Sequence, residues 1–151
     1  MRVVIQRVKR SSVAIEGEMA ASIGQGLMIL LGIEPADTSD DVDYLCGKVS
    51  RLRIFNDENG VMNRSVCDVN GEILVVSQFT LYAQTSKGNR PSYIRAARPE
   101  HAIPLYEEFI GKMEIASGIK PQTGRFGADM AVELVNDGPV TIIIDSKQKE
   151  Y

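Results

Sequence analysis

Apolar and polar residues alternate from Arg2 to Glu16, with Val3, Ile5, Val8, Val13 and Ile15 at the apolar positions. That period of two predicts a strand with one buried face, and Glu16-Gly17-Glu18 supplies a turn into a second short strand. The chain therefore opens as a β-hairpin. The run Gly26-Leu27-Met28-Ile29-Leu30-Leu31-Gly32-Ile33 has no polar side chain, and its strand length and bounding glycines place it at the centre of a sheet. The period then changes. Val42, Leu45, Val49 and Leu52 recur at helical spacing behind a capping box of Thr38 and Asp41, which predicts a helix from Thr38 to about Phe55.

Asn56-Asp57-Glu58-Asn59-Gly60 reads as a turn. Glu72 to Phe79 is strand-like through Ile73, Leu74, Val75 and Val76, and delivers the polar pair Ser77-Gln78 at its end. A second helix is predicted from Pro99, a residue suited to a first helical position. Ile103, Tyr106, Phe109, Ile110 and Met113 face inward, and Gly118 with Pro121 forms the stop. Two strands follow, Met130 to Val135 and Val140 to Asp145, separated by Asn136-Asp137-Gly138-Pro139. Hairpin-rich strands with two main helices describe an α+β fold rather than alternating βαβ units. With no linker or repeat, residues 1–151 are expected to form a single domain.

Composition changes this picture little. At 151 residues the chain buries enough surface to fold without a disulfide or metal staple. Lys and Arg total 17 against 20 for Asp and Glu, a net charge of -3, so any nucleic acid must meet a local basic patch. Cys46 and Cys67 have neither disulfide nor zinc spacing and are expected to be two buried free thiols. The N-terminal alternation leaves no room for a signal peptide, and the apolar run at 26–33 is too short to span a bilayer, so a cytoplasmic location away from membranes is expected.

The usual catalytic constellations are absent. His101 is the only histidine and falls just inside the start of a predicted helix. A triad is possible only through it, and a solvated helix-end histidine is the plainer reading. No P-loop, GxGxxG, GxSxG or HExxH occurs. The oxygen-rich turn at Asp57 lacks the EF-hand ligand spacing, so no metal site is expected. Two polar segments stand where the pattern predicts core: Ser77-Gln78-Phe79-Thr80-Leu81, and Asn136-Asp137-Gly138-Pro139-Val140-Thr141. The first is either a strand edge with Ser77 and Thr80 bonded to backbone, or a site. Local chemistry favours a hairpin turn for the second, although an X-Pro bond is where a cis peptide costs least.

These segments resemble the SQFTL and NxGPVT signatures of the D-aminoacyl-tRNA deacylase family. Lys87-Gly88-Asn89-Arg90-Pro91-Ser92-Tyr93 and Thr123-Gly124-Arg125-Phe126-Gly127-Ala128-Asp129-Met130 are similar to further family segments, in the same order. Tyr93 stands where many members have Phe. The likeness runs from Met1 to about Asp145. It implies an enzyme with a barrel-like β-sheet core, acting as a homodimer on D-aminoacyl-tRNA and Gly-tRNA, with no cofactor. It also implies a cis Gly138-Pro139 bond whose carbonyls crowd the place of an L-side chain in the partner's pocket, with Arg7 holding that segment.

Ser77, Gln78, Phe79 and Thr80 are the implied catalytic set. An activated ester chiefly needs positioned water and a stabilised oxyanion. The Phe79 and Thr80 amides are the candidate hole, Gln78 and Thr80 orient the ester, and Ser77 supports the strand end. Thr80 as nucleophile would need an adjacent base. A route assisted by the terminal adenosine's 2′-OH is preferred. The stretch from Gln84 to Arg98 carries Lys87, Arg90, Arg95 and Arg98 without an acidic residue, which suits a phosphate track with Tyr93 available for stacking. The rivals are a non-catalytic nucleic-acid-binding module and a synthetase-associated editing domain.

Overall fold

The computed structural model describes residues 1–150. Strand β1 (Arg2–Ile15) turns at Glu16 and Gly17, both at positive φ, into β2 (Glu18–Ile23). The second half of β1 pairs with β2 from Ser11↔Ile23 to Ile15↔Glu18. Its first half pairs along the same edge with β3 (Gly26–Gly32), from Arg2↔Gly32 to Val8↔Gly26. Helix α1 (Ser39–Ser50) and a small hairpin of β4 (Phe55–Asn56) and β5 (Met62–Arg64) precede β6 (Glu72–Ser77), which runs parallel to β3. After α2 (Pro99–Ser117), β7 (Gln122–Thr123) runs parallel to β6, and β8 (Met130–Asp145) returns antiparallel along the opposite edge of β1.

The sheet is therefore mixed rather than built of hairpins alone. Contacts of β2 with β6 and β7 bring its far side round into a nearly closed barrel. Both helices lie against one face, where Val42, Leu45 and Phe109 meet Val3, Ile5, Leu27, Ile29 and Val75. The other face gathers Val8, Val13, Ile23, Met28, Leu74 and Val76. Neighbouring residues of β3 and β6 thus enter different cores, which explains why those strands read as unbroken apolar runs. The Thr38–Asp41 capping box and the Gly118 cap form as expected. Among the described residues, no helix is long and apolar enough to cross a membrane.

Four expectations are corrected. Helix α1 ends at Ser50, where the Leu52 amide closes onto the Val49 carbonyl, because Phe55 is drawn into β4 and buried there. In α2, Tyr106, Phe109 and Met113 are buried as expected and Ile110 packs against the core, but Ile103 is exposed, and Ala102 and Leu105 are buried in addition. Strand β6 stops at Ser77, and Phe79–Tyr82 forms a 3-10 turn. The two strands expected at the C-terminal end are one: β8 continues through 136–139 without reversing, because both halves pair with β1.

A buried polar cluster ties the chain ends to α1. Asp37 accepts from the Met1 ammonium, and Lys147 bridges Asp37 at 3.4 Å and Asp41 at 3.0 Å. Burial works against the Asp41 charge, but hydrogen bonds from Ser146, the Thr38 amide and Lys147 outweigh it and hold the carboxyl at about 2 against an ordinary 3.8. A carboxylate held low in the folded state stabilises it above the unfolded value, and that contribution disappears as pH falls through the folded one. Wild-type protein should therefore lose about 2 kcal/mol from this group between about pH 5 and about pH 2. In thermal melts over that range Asp41→Asn should start less stable and lack this component of the acid loss; parallel curves would contradict the assignment.

Candidate functional site

Ser77, the last residue of β6, pairs with Leu31, and the Gln78 amide extends the pairing by donating to the Leu31 carbonyl at 2.8 Å. The chain then tightens into the 3-10 turn, with Leu81 N–H on the Gln78 carbonyl (3.2 Å) and Ala83 N–H on Thr80 (3.1 Å). Such a turn leaves the amides of its first residues without an internal partner. Among the described residues, those of Phe79 and Thr80 find no other backbone acceptor. Gly32 lets the turn sit this close to β3, since a Cβ there would lie 3.0 Å from Leu81 Cβ and 3.2 Å from the Gln78 oxygen.

Gln78 Nε2 donates to Thr80 Oγ1 at 2.5 Å, which orients the hydroxyl and leaves its hydrogen available to another acceptor. Among the described residues, no carboxylate, imidazole or amine is hydrogen-bonded to Thr80. The exposed His101 places Nε2 2.9 Å from the Asp37 carbonyl oxygen, on the first turn of α2. The cysteines are not nucleophiles for this site. Burial pushes the Cys46 thiol up to about 12, and Cys67, half-buried rather than buried as expected, donates to the Ser117 carbonyl at 3.1 Å.

Ser77, Gln78 and Phe79 line a cavity of about 270 Å³ whose remaining walls are largely apolar: Leu31, Val76 and Ala102 on one side, Phe126-Gly127-Ala128 and Met130 on the other. At its mouth the Phe79 ring is 55% exposed and meets Tyr93 edge-on, with centroids 5.1 Å apart. The adjoining loop is closed by paired bonds between Gln84 and Ser92 (2.8 and 2.9 Å), and Lys87 and Arg90 stand in solvent on it. The basic stretch is weaker than its composition implies. Arg95 lies 3.8 Å from Glu34, and Arg98 lies 3.8 Å from Glu100. Among the described residues no cluster of three or more His, Cys, Asp or Glu side chains suits a metal ion.

The second motif lies elsewhere on the surface. Gly138-Pro139 is a cis peptide with Gly138 at φ 130, and both residues are exposed. Behind them Arg7 is almost fully buried, donating from Nε to the Asp137 carbonyl (2.9 Å) and from Nη1 to the Ile54 carbonyl (2.7 Å), with the Asp137 carboxylate 3.5 Å away. Gly138 and Pro139 do not line the cavity that holds Ser77 to Phe79. The cavity walls at Ala97, Ala102 and Phe126 to Ala128 were not among the expected site residues. The only sequence signal for them was the Thr123–Met130 segment.

A family model described as D-Tyr-tRNA(Tyr) deacylase matches residues 4–145. A D-aminoacyl-tRNA deacylase of Flavobacterium johnsoniae is 61% identical over 150 residues, spanning 99% of this chain and 100% of that one. One from Bacteroides fragilis has the same identity and coverage. Among solved structures, the c-Myc DNA Unwinding Element Binding Protein superposes with a TM-score of 0.90 at 40% identity, over 96% of this chain and 98% of that one. A probable eukaryotic D-amino acid tRNA deacylase shares the fold at a TM-score of 0.79 and 16% identity, over 95% and 97%.

The Arg7 geometry carries a stability prediction. Arg7→Met keeps the side-chain stem but strips the donors from two backbone carbonyls, which should lower the unfolding free energy by about 2 kcal/mol. Urea titration reads this directly. An unchanged midpoint would show that the carbonyls do not need the guanidinium.

Proposed function

Because the chain belongs to the D-Tyr-tRNA(Tyr) deacylase family and hydrolyses D-aminoacyl-tRNA, we propose that it selects substrates at the α-carbon, with Gly138-Pro139 of one subunit excluding L-side chains from the Ser77–Phe79 cavity of another, beside Thr80. The observation that carries this reading is the separation of the two motifs within one chain. The Ser77–Phe79 cavity is open, while Gly138 and Pro139 are exposed, anchored by Arg7 through Asp137, and absent from its lining. A second copy of the chain would bring them together, so a homodimer is part of the proposal. Rejection by backbone ignores whatever lies beyond Cβ, which suits a proofreader that must accept many side chains. Glycine has no Cβ to reject, so Gly-tRNA is a substrate under the same reading.

The chemistry needs little beyond the groups at the turn. The free Phe79 and Thr80 amides are donors for the oxyanion that forms as water attacks the ester. The Thr80 hydroxyl, held by Gln78, orients the ester, and Ser77 fixes the end of β6. The absence of a base beside Thr80 supports its role as an orienting group, with the 2′-OH of the terminal adenosine assisting the water. Lys87 and Arg90, free of carboxylate partners, are the proposed phosphate contacts; Arg95, held to Glu34, contributes less, and Tyr93 beside Phe79 offers a stacking face. Only two of the four cations between Gln84 and Arg98 lack a carboxylate partner, a short track for duplex DNA, which speaks against a purely nucleic-acid-binding role.

The direct test is hydrolysis by the purified chain of Tyr-tRNA and Asp-tRNA charged with each enantiomer, and of Gly-tRNA. Both D-forms and the glycyl form should be cleaved and both L-forms spared; equal rates on D-Tyr-tRNA and L-Tyr-tRNA would sink the chirality reading. Thr80→Ala should retain measurable hydrolysis without an acyl-enzyme, whereas an ester trapped on Thr80 together with a fully inactive alanine variant would establish a nucleophile. Lys87→Glu or Arg90→Glu should weaken tRNA binding and reduce its logarithmic salt slope by about 1 or more, since at least one phosphate contact is lost. An unchanged slope would return the loop to ordinary surface.

A further inference from the structure

The β1–β8 ladder holds Gln6 opposite Thr141 and Val8 opposite Asn136, so four residues, Asp137 to Val140, stand against the single residue Arg7. This excursion presents Gly138 and Pro139. Arg7 grips it on one side through the Asp137 carbonyl. Gln6, adjacent on the strand, bonds it through a separate set of side chains. Asn136 Oδ1 accepts from the Val140 amide at 2.9 Å, closing the base of the excursion, while Asn136 Nδ2 donates to Gln6 Oε1 and lies 3.3 Å from Thr141 Oγ1. Thr141 Oγ1 in turn donates to Gln6 Oε1 at 2.5 Å.

The direction of every bond in this network follows from one backbone group. The Val140 N–H can only donate, so the Asn136 oxygen faces it and the Asn136 nitrogen faces Gln6. Gln6 must then present its oxygen, which receives both Asn136 and Thr141. We propose that Gln6 is a positioning residue for substrate selection: as a double acceptor it pins Asn136 and Thr141, and so fixes how far Gly138-Pro139 projects. The inference rests on the proposed role of that segment in excluding L-substrates. Gln6 touches neither the cavity nor the substrate-orienting pair Gln78 and Thr80.

The chemistry separates variants that size alone would not. Gln6→Glu keeps an acceptor oxygen and should retain selectivity. Gln6→Met removes the acceptor, and Asn136→Asp replaces the donor by a second acceptor facing it. Each of these two should lower the rate ratio of D-Tyr-tRNA to L-Tyr-tRNA by about tenfold, as expected for loss of a hydrogen bond that contributes only to discrimination. Thr141→Val, which deletes one of the two donors, should move the ratio the same way by less. Because glycine has nothing to exclude, Gly-tRNA hydrolysis should stay within about twofold in all four variants. A parallel fall in all three rates, an unchanged ratio in Gln6→Met, or a loss in Gln6→Glu equal to that in Gln6→Met would overturn the proposal.

Gly138→Ala distinguishes the two levels of failure. A Cβ there would lie 2.9 Å from Val140 Cγ2 and 3.0 Å from Arg7 Nη2, and Gly138 sits at φ 130, a conformation that residues with a Cβ rarely adopt, so the substitution strains the segment. If Gly138→Ala changes the ratio and Gln6→Met does not, Gln6 has no positioning role and the chirality reading stands. If neither changes it, the chirality reading falls and this inference with it.

Discussion

Strand β1 has a partner on each edge along nearly all of its length. On one edge it pairs first with β3 and then with β2, and on the other β8 follows it from Asp145 to Met130. A strand with both edges occupied can bend only where its ladder breaks, and the break falls at Gln6 to Arg10. Two consequences meet there. The apolar positions change phase, Val3 and Ile5 facing the helix-side core and Val8 and Val13 the barrel interior. The excess length of β8 is also pushed outward, carrying Gly138 and Pro139, while the Arg7 side chain satisfies the Asp137 carbonyl of that excursion and the Ile54 carbonyl just before β4.

The same sheet builds the cavity from its other end. Leu31 and Ser77 close the parallel pairing of β3 and β6, and beyond the Gln78 amide the chain does not extend the strand. It coils instead into one 3-10 turn. That turn leaves the Phe79 and Thr80 amides without a backbone acceptor among the described residues and sets Gln78 on Thr80, the groups on which the proposed oxyanion and ester contacts rest. No charged side chain lines the pocket itself; Lys87 and Arg90 stand on the loop beyond Phe79 and Tyr93.

Much of this was legible from residue order. Alternation marked β1, the unbroken run marked β3, and the Thr38–Asp41 pair marked the start of α1, because each depends on local periodicity or local hydrogen bonds. Asn136-Asp137-Gly138-Pro139 misled a local reading, since the same residues serve a reversing hairpin or an outward excursion. What separates the two is pairing with Gln6 and Val8, some 130 residues earlier. The far wall of the cavity was invisible for a similar reason. Phe126 to Ala128 and Ala97 come from loops without period, and only the closing sheet and α2 bring them to Ser77. The family resemblance supplied the proposed catalytic residues that physical reading left open, and the separation of the two motifs in the folded chain is what makes a cross-subunit site the economical explanation.

That claim is tested most directly with a heterodimer purified through two different tags. One subunit carries Gln78→Ala and Thr80→Ala in its cavity, and the other carries Gly138→Ala; residual hydrolysis by a homodimer carrying all three substitutions is subtracted as background. The only intact cavity then belongs to the subunit with the altered excursion. If Gly138-Pro139 acts across the interface, that cavity receives an unaltered segment from its partner, and D-Tyr-tRNA is cleaved while L-Tyr-tRNA is spared as by the wild-type protein. If the heterodimer instead discriminates no better than the Gly138→Ala homodimer, the segment acts within its own chain and the cross-subunit account is wrong.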